Sequence, residues 1–195
     1  MELQYRGKHI LAPMVRVIIN HRLLRCTRKI NKMLGTVDLV EKSRDTFVVR
    51  DEEKSCGVFQ IGTSDVVWAL QAANLVYESF SIRGGIGAAF LSKPDLILDI
   101  LTTLKRNLNI PVMCKFCLLK THHDTVELAR QIEKTGVAAI AVHGRKVADS
   151  PRDPAQWDGI AEVVSALSIP VISNGDVFEY SDFQCIKDAT GRLLL

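Results

Sequence analysis

A chain of 195 residues with 47% hydrophobic and 24% charged content can bury a real core, and one domain is the expected organisation. The absence of any run of about 18 apolar residues excludes a helical membrane span, and the first residues, Met1-Glu2-Leu3-Gln4-Tyr5-Arg6, lack the apolar stretch of a secretory signal, so the cytoplasm or nucleus is the expected compartment. A net charge of +3 and a pI near 8.6 form a mild basic excess that is compatible with an RNA partner without specifying one.

In chain order, residues 10–14 read as a short strand. From residue 19 to 34 the apolar side chains Ile19, Leu23, Cys26, Ile30 and Met33 recur at helical spacing. Arg22, Arg25, Lys29 and Lys32 run alongside as a basic stripe that either meets RNA phosphates or faces solvent. Residues 37–40 and 46–50 pair as an expected hairpin around Lys42-Ser43-Arg44-Asp45. Residues 56–62 form the next strand, Ser64 caps a helix running to about Glu78, and Pro94 opens another through residues 96–104.

The second half is more regular. Residues 110–115 read as a buried strand, and residues 125–135 as a helix stopped by Gly136. Residues 138–144 are a second strand; Asp153-Pro154 caps and opens a helix carrying Ile160, Val163, Val164 and Leu167; residues 169–175 are a third strand. Strands recurring at roughly 30-residue intervals with amphipathic helices between them predict βαβ units and a parallel sheet. Their C-terminal ends carry Lys115, His143-Gly144-Arg145 and Asn174-Gly175-Asp176, with Gln60 after Val58-Phe59. Polar residues at successive ends on one side of a parallel sheet predict a functional rim rather than a run of surface loops.

Five cysteines, Cys26, Cys56, Cys114, Cys117 and Cys185, are an odd and scattered set. Cys114-Lys115-Phe116-Cys117 has the C-x-x-C spacing of zinc or redox sites, but no second pair or matching histidines accompany it. Reduced, mostly buried thiols and no metal are the expectation.

The strand-end residues resemble a family. Leu11-Ala-Pro-Met14-Val-Arg16, Phe59-Gln60-Ile-Gly-Thr-Ser-Asp65, the glycine-rich stretch from Gly84 to Leu91, Cys114-Lys115, Ala141-Val-His143-Gly-Arg145 and Ile172-Ser-Asn174-Gly175-Asp176 occur in the order found in the tRNA-dihydrouridine synthases, in particular the eukaryotic type-two branch that acts on the D-loop. The resemblance implies an α/β fold, an incomplete (β/α)8 TIM barrel of the FMN-linked oxidoreductase type, with residues 1–195 as one partial domain. It further implies that NADPH reduces FMN, that hydride then passes to C6 of a tRNA uridine, and that a cysteine protonates C5. Position by position, Pro13, Met14, Val15 and Arg16 would lie by the isoalloxazine and Gln60 would bond its pyrimidine edge. Lys115 would sit near N1 and O2, where reduced flavin gathers negative charge, and His143 would contact the cofactor nearby. Asn174, Gly175 and Asp176 would serve the phosphate end, and Arg145 would contact tRNA.

The departures carry equal information. Before the glycine-rich stretch the family has a strand ending in Asn-x-Gly-Cys-Pro, which holds the catalytic cysteine. Here residues 76–80 pass almost directly into Ser81-Ile82-Arg83-Gly84-Gly85, no strand is expected between them, and no cysteine lies between Cys56 and Cys114. A second gap follows Val17. The chain ends before the family's last phosphate-binding strand, and the helical tRNA-binding domain is absent. Five strands are expected, ending at Met14, Gln60, Lys115, His143 and Asn174, in a chain shorter than the about 250 residues typical of a closed barrel. Three functions follow: a flavin-dependent enzyme impaired by the missing cysteine, a non-catalytic remnant binding FMN or RNA, and a different phosphate-binding barrel in which Lys115 forms a Schiff base. The Ala-Pro-Met and His-Gly-Arg contexts weigh against the third.

Overall fold

In the computed structural model of the protein the described residues are 18–42, 44–50, 58–80, 86–89 and 93–191. The expected strand at residues 10–14, the candidate cofactor residues Pro13, Met14, Val15 and Arg16, and Cys56 all lie outside them.

Six strands pair in parallel in the order in which the chain supplies them: β1 (Ile18–Ile19), β5 (Phe59–Gly62), β6 (Ile86–Ala89), β7 (Val112–Leu118), β8 (Ala139–Lys146) and β9 (Val171–Asn174). An order that never reverses, joined by right-handed crossovers, puts the intervening helices on one face. Accordingly α2 (Val66–Phe80), α3 (Pro94–Asn107), α4 (His122–Lys134), α5 (Trp157–Ala166) and α6 (Tyr180–Thr190) each pack against the next. The strands alternate to match. Phe59 and Ile61, Val112, Cys114, Phe116 and Leu118, Ile140 and Val142, and Val171 are buried toward the helices, while the residues between them mostly remain half-buried on the other face.

The helices meet the sheet through apolar stripes such as Ile97, Ile100, Leu101 and Leu104 of α3 and Leu128, Ala129 and Ile132 of α4. Pro94 opens α3 as expected, and Thr121 caps α4 by accepting the Asp124 N–H. Gly136 ends the turn after α4 at φ 81°, a conformation a side chain disfavours. Two caps move from their expected positions. Asp65, not Ser64, opens α2, its Oδ1 accepting the Trp68 N–H at 2.9 Å. The expected cap at Asp153 gives way to Gln156, three residues on, because Asp153 is held in the preceding loop, where its Oδ2 accepts the Ser150 N–H at 2.7 Å.

The amphipathic pattern over residues 19–34 does not become one helix. A single turn, α1 (Asn20–Leu23), is followed by β2 (Thr27–Asn31), which pairs antiparallel with β3 (Thr36–Glu41), and β3 pairs in turn with β4 (Arg44–Arg50), the expected hairpin. Turn chemistry decides the matter: Asn31 Oδ1 accepts the Leu34 N–H, and Gly35 adopts φ 62°. The basic residues no longer share one helix face: Lys29 and Lys32 are exposed on β2 and in the turn after it. Arg22 and Arg25 lie 3.2 and 3.7 Å from Glu41 carboxylate oxygens, and Arg28 Nε donates to the Ser79 carbonyl in the last turn of α2. The small sheet docks through Phe47, whose ring centroid is 4.5 Å from that of Phe59 and 5.7 Å from that of Phe80 in edge geometry.

The glycine-rich stretch also departs from expectation. Where no strand was expected between α2 and α3, Ile86–Ala89 forms β6 and bridges β5 to β7, so that β1 and β6 are the two strands of the parallel sheet that were not expected.

Phe59 is 1% exposed and joins the small sheet to α2. Phe59→Ala should lower stability by about 3–5 kcal/mol, measured as a lower urea midpoint with an unchanged slope.

Candidate functional site

The parallel register decides which side chains share the face opposite the helices. Lys115 pairs with Ala141, Cys117 with His143, and His143 with Asn174, so Lys115, Cys117, His143 and Asn174 all project from that face. Gln60, paired with Gly87, and Gly87 with Met113, lies on the same face, one register step deeper than Lys115. Lys115 and His143, expected to converge, do so near enough that the ammonium depresses the imidazole's basicity.

Each group has a definite electrostatic state. Burial lowers the Lys115 pKa, with Cys117 acting in the opposite sense, and no described side chain or carbonyl accepts a hydrogen bond from its ammonium. His143 is lowered by burial and then by Lys115, so it is neutral at pH 7. Its Nδ1 lies 3.1 Å from the Asn174 carbonyl, which makes Nδ1–H the donor and leaves Nε2 as an acceptor. A half-buried cation without an acceptor beside a neutral imidazole is an arrangement for holding an anionic or electron-rich ligand.

Past β9 the chain turns sharply. Gly175 has φ 126°, and a Cβ there would stand 3.0 Å from Ala155 Cβ and 3.5 Å from His143 Cε1. Asp176 follows at φ 55°. Its Oδ2 accepts the Ala155 N–H at 2.6 Å, and its Oδ1 pairs with Arg145. The Ala155 bond first, and then the Arg145 guanidinium, hold the Asp176 carboxyl below its ordinary range. Arg145 Nε also donates to the Asp153 carbonyl, and Trp157 Nε1 to that of Gly175 at 3.2 Å. Arg145 and Asp176 therefore act first on each other, locking the loop after β8 onto the turn after β9, and only 14% of the Arg145 side chain is exposed.

Strand β7 runs beyond Lys115 to Leu118, and this separates the two thiols of the C-x-x-C sequence. Three residues apart in a strand, they face opposite ways. Cys114 is buried against the helices, its pKa raised to about 12 by burial, whereas Cys117 joins Lys115. Among the described residues no group of His, Cys, Asp and Glu is arranged to hold a metal. The alternation of Phe116 and Leu118 was the sequence signal that Cys117 lies inside the strand. No comparable signal marked Asp149, whose Oδ2 accepts the Lys146 N–H at 2.7 Å and whose charge reaches Cys117.

A singly wound parallel sheet with a cation, an imidazole and a glycine turn at its C-terminal ends defines an α/β protein with its polar groups gathered on one rim. The chain belongs to the dihydrouridine synthase (Dus) family, whose sequence profile matches residues 10–193. It is 32% identical to the tRNA-dihydrouridine(20) synthase of Saccharomyces cerevisiae, covering 94% of this chain and 60% of that protein, and 27% identical to a human tRNA-dihydrouridine(20a/20b) synthase-like protein, covering 93% and 64%. Both names carry NAD(P)+. The chain thus spans about three-fifths of the yeast relative. That alignment runs over 232 positions, more than this chain's 195 residues, so the relative has internal residues without counterpart here. In shape the chain is also similar to a mandelate oxidase, at a TM-score of 0.48 and 15% identity over 90% of this chain and 60% of that one, too distant to bear on ligands.

Asp176→Asn should cost on the order of 1–3 kcal/mol at neutral pH. Because the folded carboxyl titrates below its unfolded value, its contribution is present above that unfolded value and is lost as pH falls through the folded one. Thermal melts should therefore show wild type and variant converging as the pH falls below about 4.

Proposed function

We propose that this chain is the FMN-holding part of a tRNA-dihydrouridine synthase, its sheet an arc of an incomplete (β/α)8 barrel. The observation that carries the reading is Lys115, a half-buried cation without an acceptor among the described residues, on the same face as His143 and Gln60 in a chain of the Dus family. The residues fit the cofactor. Lys115 would stand against the N1–O2 edge, Gln60 against the pyrimidine edge and neutral His143 beside them. Pro13, Met14, Val15 and Arg16 complete the proposed set. At the phosphate end the backbone of Asn174, Gly175 and Asp176 is the binding element. The Asp176 carboxylate, which would repel a phosphate, is instead neutralised by Arg145 and fixes the turn. Bound FMN, reduced by NADPH, supplies the hydride for a tRNA uridine.

The exposed edge of Arg145 is the proposed tRNA contact. No cysteine lies between Cys56 and Cys114, and Cys114 faces the helices, so the acid of the family's mechanism is not supplied from its usual segment. Lost general-acid catalysis costs about 10²–10⁴-fold in rate, and a deficit of up to that size is expected against an intact relative. A lysine with lowered pKa also suits Schiff-base chemistry, which borohydride trapping of a carbonyl ligand on Lys115 would reveal; family membership favours the flavin.

Purified protein should bind FMN and show flavin absorbance. Lys115→Met should weaken FMN binding roughly tenfold, about 1.4 kcal/mol, by fluorescence titration, and unchanged affinity would remove the cation from the site. Dihydrouridine formation on unmodified tRNA with NADPH and added FMN, run beside an intact relative, tests the rate deficit; equal turnover would refute it.

A further inference from the structure

Cys117 has no task in the reading above, yet the register sets it within the site. It shares the face of Lys115, roughly 6.6 Å further along the strand, and stands opposite His143 on β8. It lies two residues nearer the C-terminal end of β7 than Lys115. Its thiol is half-buried, and no described group accepts a hydrogen bond from it. The other described cysteines differ. Cys26 Sγ donates to the Arg22 carbonyl at 3.3 Å, Cys114 is sealed beneath the helices, and Cys185 is exposed on α6.

We propose that Cys117 donates a proton to the substrate base, from the strand beside Lys115 and not from the segment where the family carries its cysteine. This rests on the flavin-site reading. As hydride forms the new C–H bond at C6, the electron pair of the C5–C6 double bond takes the proton from Sγ. The S–H bond breaks, a C–H bond forms at C5, and the thiolate left behind recovers a proton from solvent. The surroundings suit a donor. Burial raises the thiol pKa and Asp149 adds to this, so the proton is present at neutral pH, while the Lys115 ammonium favours the thiolate. Of the other ionisable groups near this face, His143 is neutral and Arg145 is committed to Asp176.

The test uses the whole chain. Flavin fluorescence first reports FMN binding, and failure to bind ends the site reading and this inference together. Iodoacetamide labelling followed by mass spectrometry then compares the cysteines with and without saturating FMN. Cys26 and Cys185 should label equally in both states and Cys114 in neither, whereas Cys117 should label about tenfold more slowly once FMN is bound. Cys117→Ser should retain FMN affinity but lower dihydrouridine formation at least about tenfold. It should also lose the fall in rate that wild type shows as pH rises through the titration of the thiol. If FMN binds but leaves Cys117 labelling unchanged, the inference alone is overturned. Equal turnover and pH profile in Cys117→Ser, or no detectable product from wild type, overturns it as well.

Discussion

The parallel register of β7, β8 and β9 is the constraint on which the rest depends. Alternation along a strand has a period of two, and parallel pairing carries that alternation unchanged to the neighbour. Once Phe116 and Leu118 are committed to the helices, Lys115 and Cys117 must face the other way, and pairing then brings His143 and Asn174 to the same side. A slip of one residue in β7 would bury an ammonium among the apolar side chains beneath the helices, at a cost of several kcal/mol. The hydrophobic core thus holds the polar face in place without touching it.

On that face the charges fall into two groups. Arg145 and Asp176 neutralise each other and are bound to the backbone of Asp153 and Ala155, so they stiffen the joint between the β8 and β9 ends. Lys115 is uncompensated by a carboxylate contact, and its field is felt by Cys117 and His143 instead. Among the described residues of this face the paired charges thus set the geometry of the rim, while the Lys115 ammonium carries no carboxylate partner.

The sheet also shows how the strands are kept paired between β5 and β7. An all-parallel sheet needs both neighbours of every inner strand, because unpaired backbone groups next to a buried face are costly. Between Gln60 and Lys115 the strand slot is filled by Ile86–Ala89, from the glycine-rich stretch. The slot is kept by backbone pairing on both sides, to Phe59–Gly62 and to Val112–Lys115.

Periodicity alone was enough to specify the βα alternation of the second half, the hairpin of β3 and β4, and the polar strand ends at Lys115, His143 and Asn174, since buried strands and amphipathic helices impose repeats of 2 and 3.6 that local composition preserves. Short-range competition was less legible. Residues 19–34 fit a helical period, yet Asn31 and Gly35 turned them into a hairpin edge. The caps expected at Ser64 and Asp153 moved to Asp65 and Gln156, because Asp65 accepts the Trp68 N–H while Asp153 is engaged by the Ser150 N–H in the preceding loop. Only tertiary pairing could decide that β6 enters the sheet and that Arg145 is bound to Asp176, because each depends on groups distant along the chain. Cys117 shows the difference most directly: its identity was visible from the start, but its place opposite His143 exists only in the register between two strands.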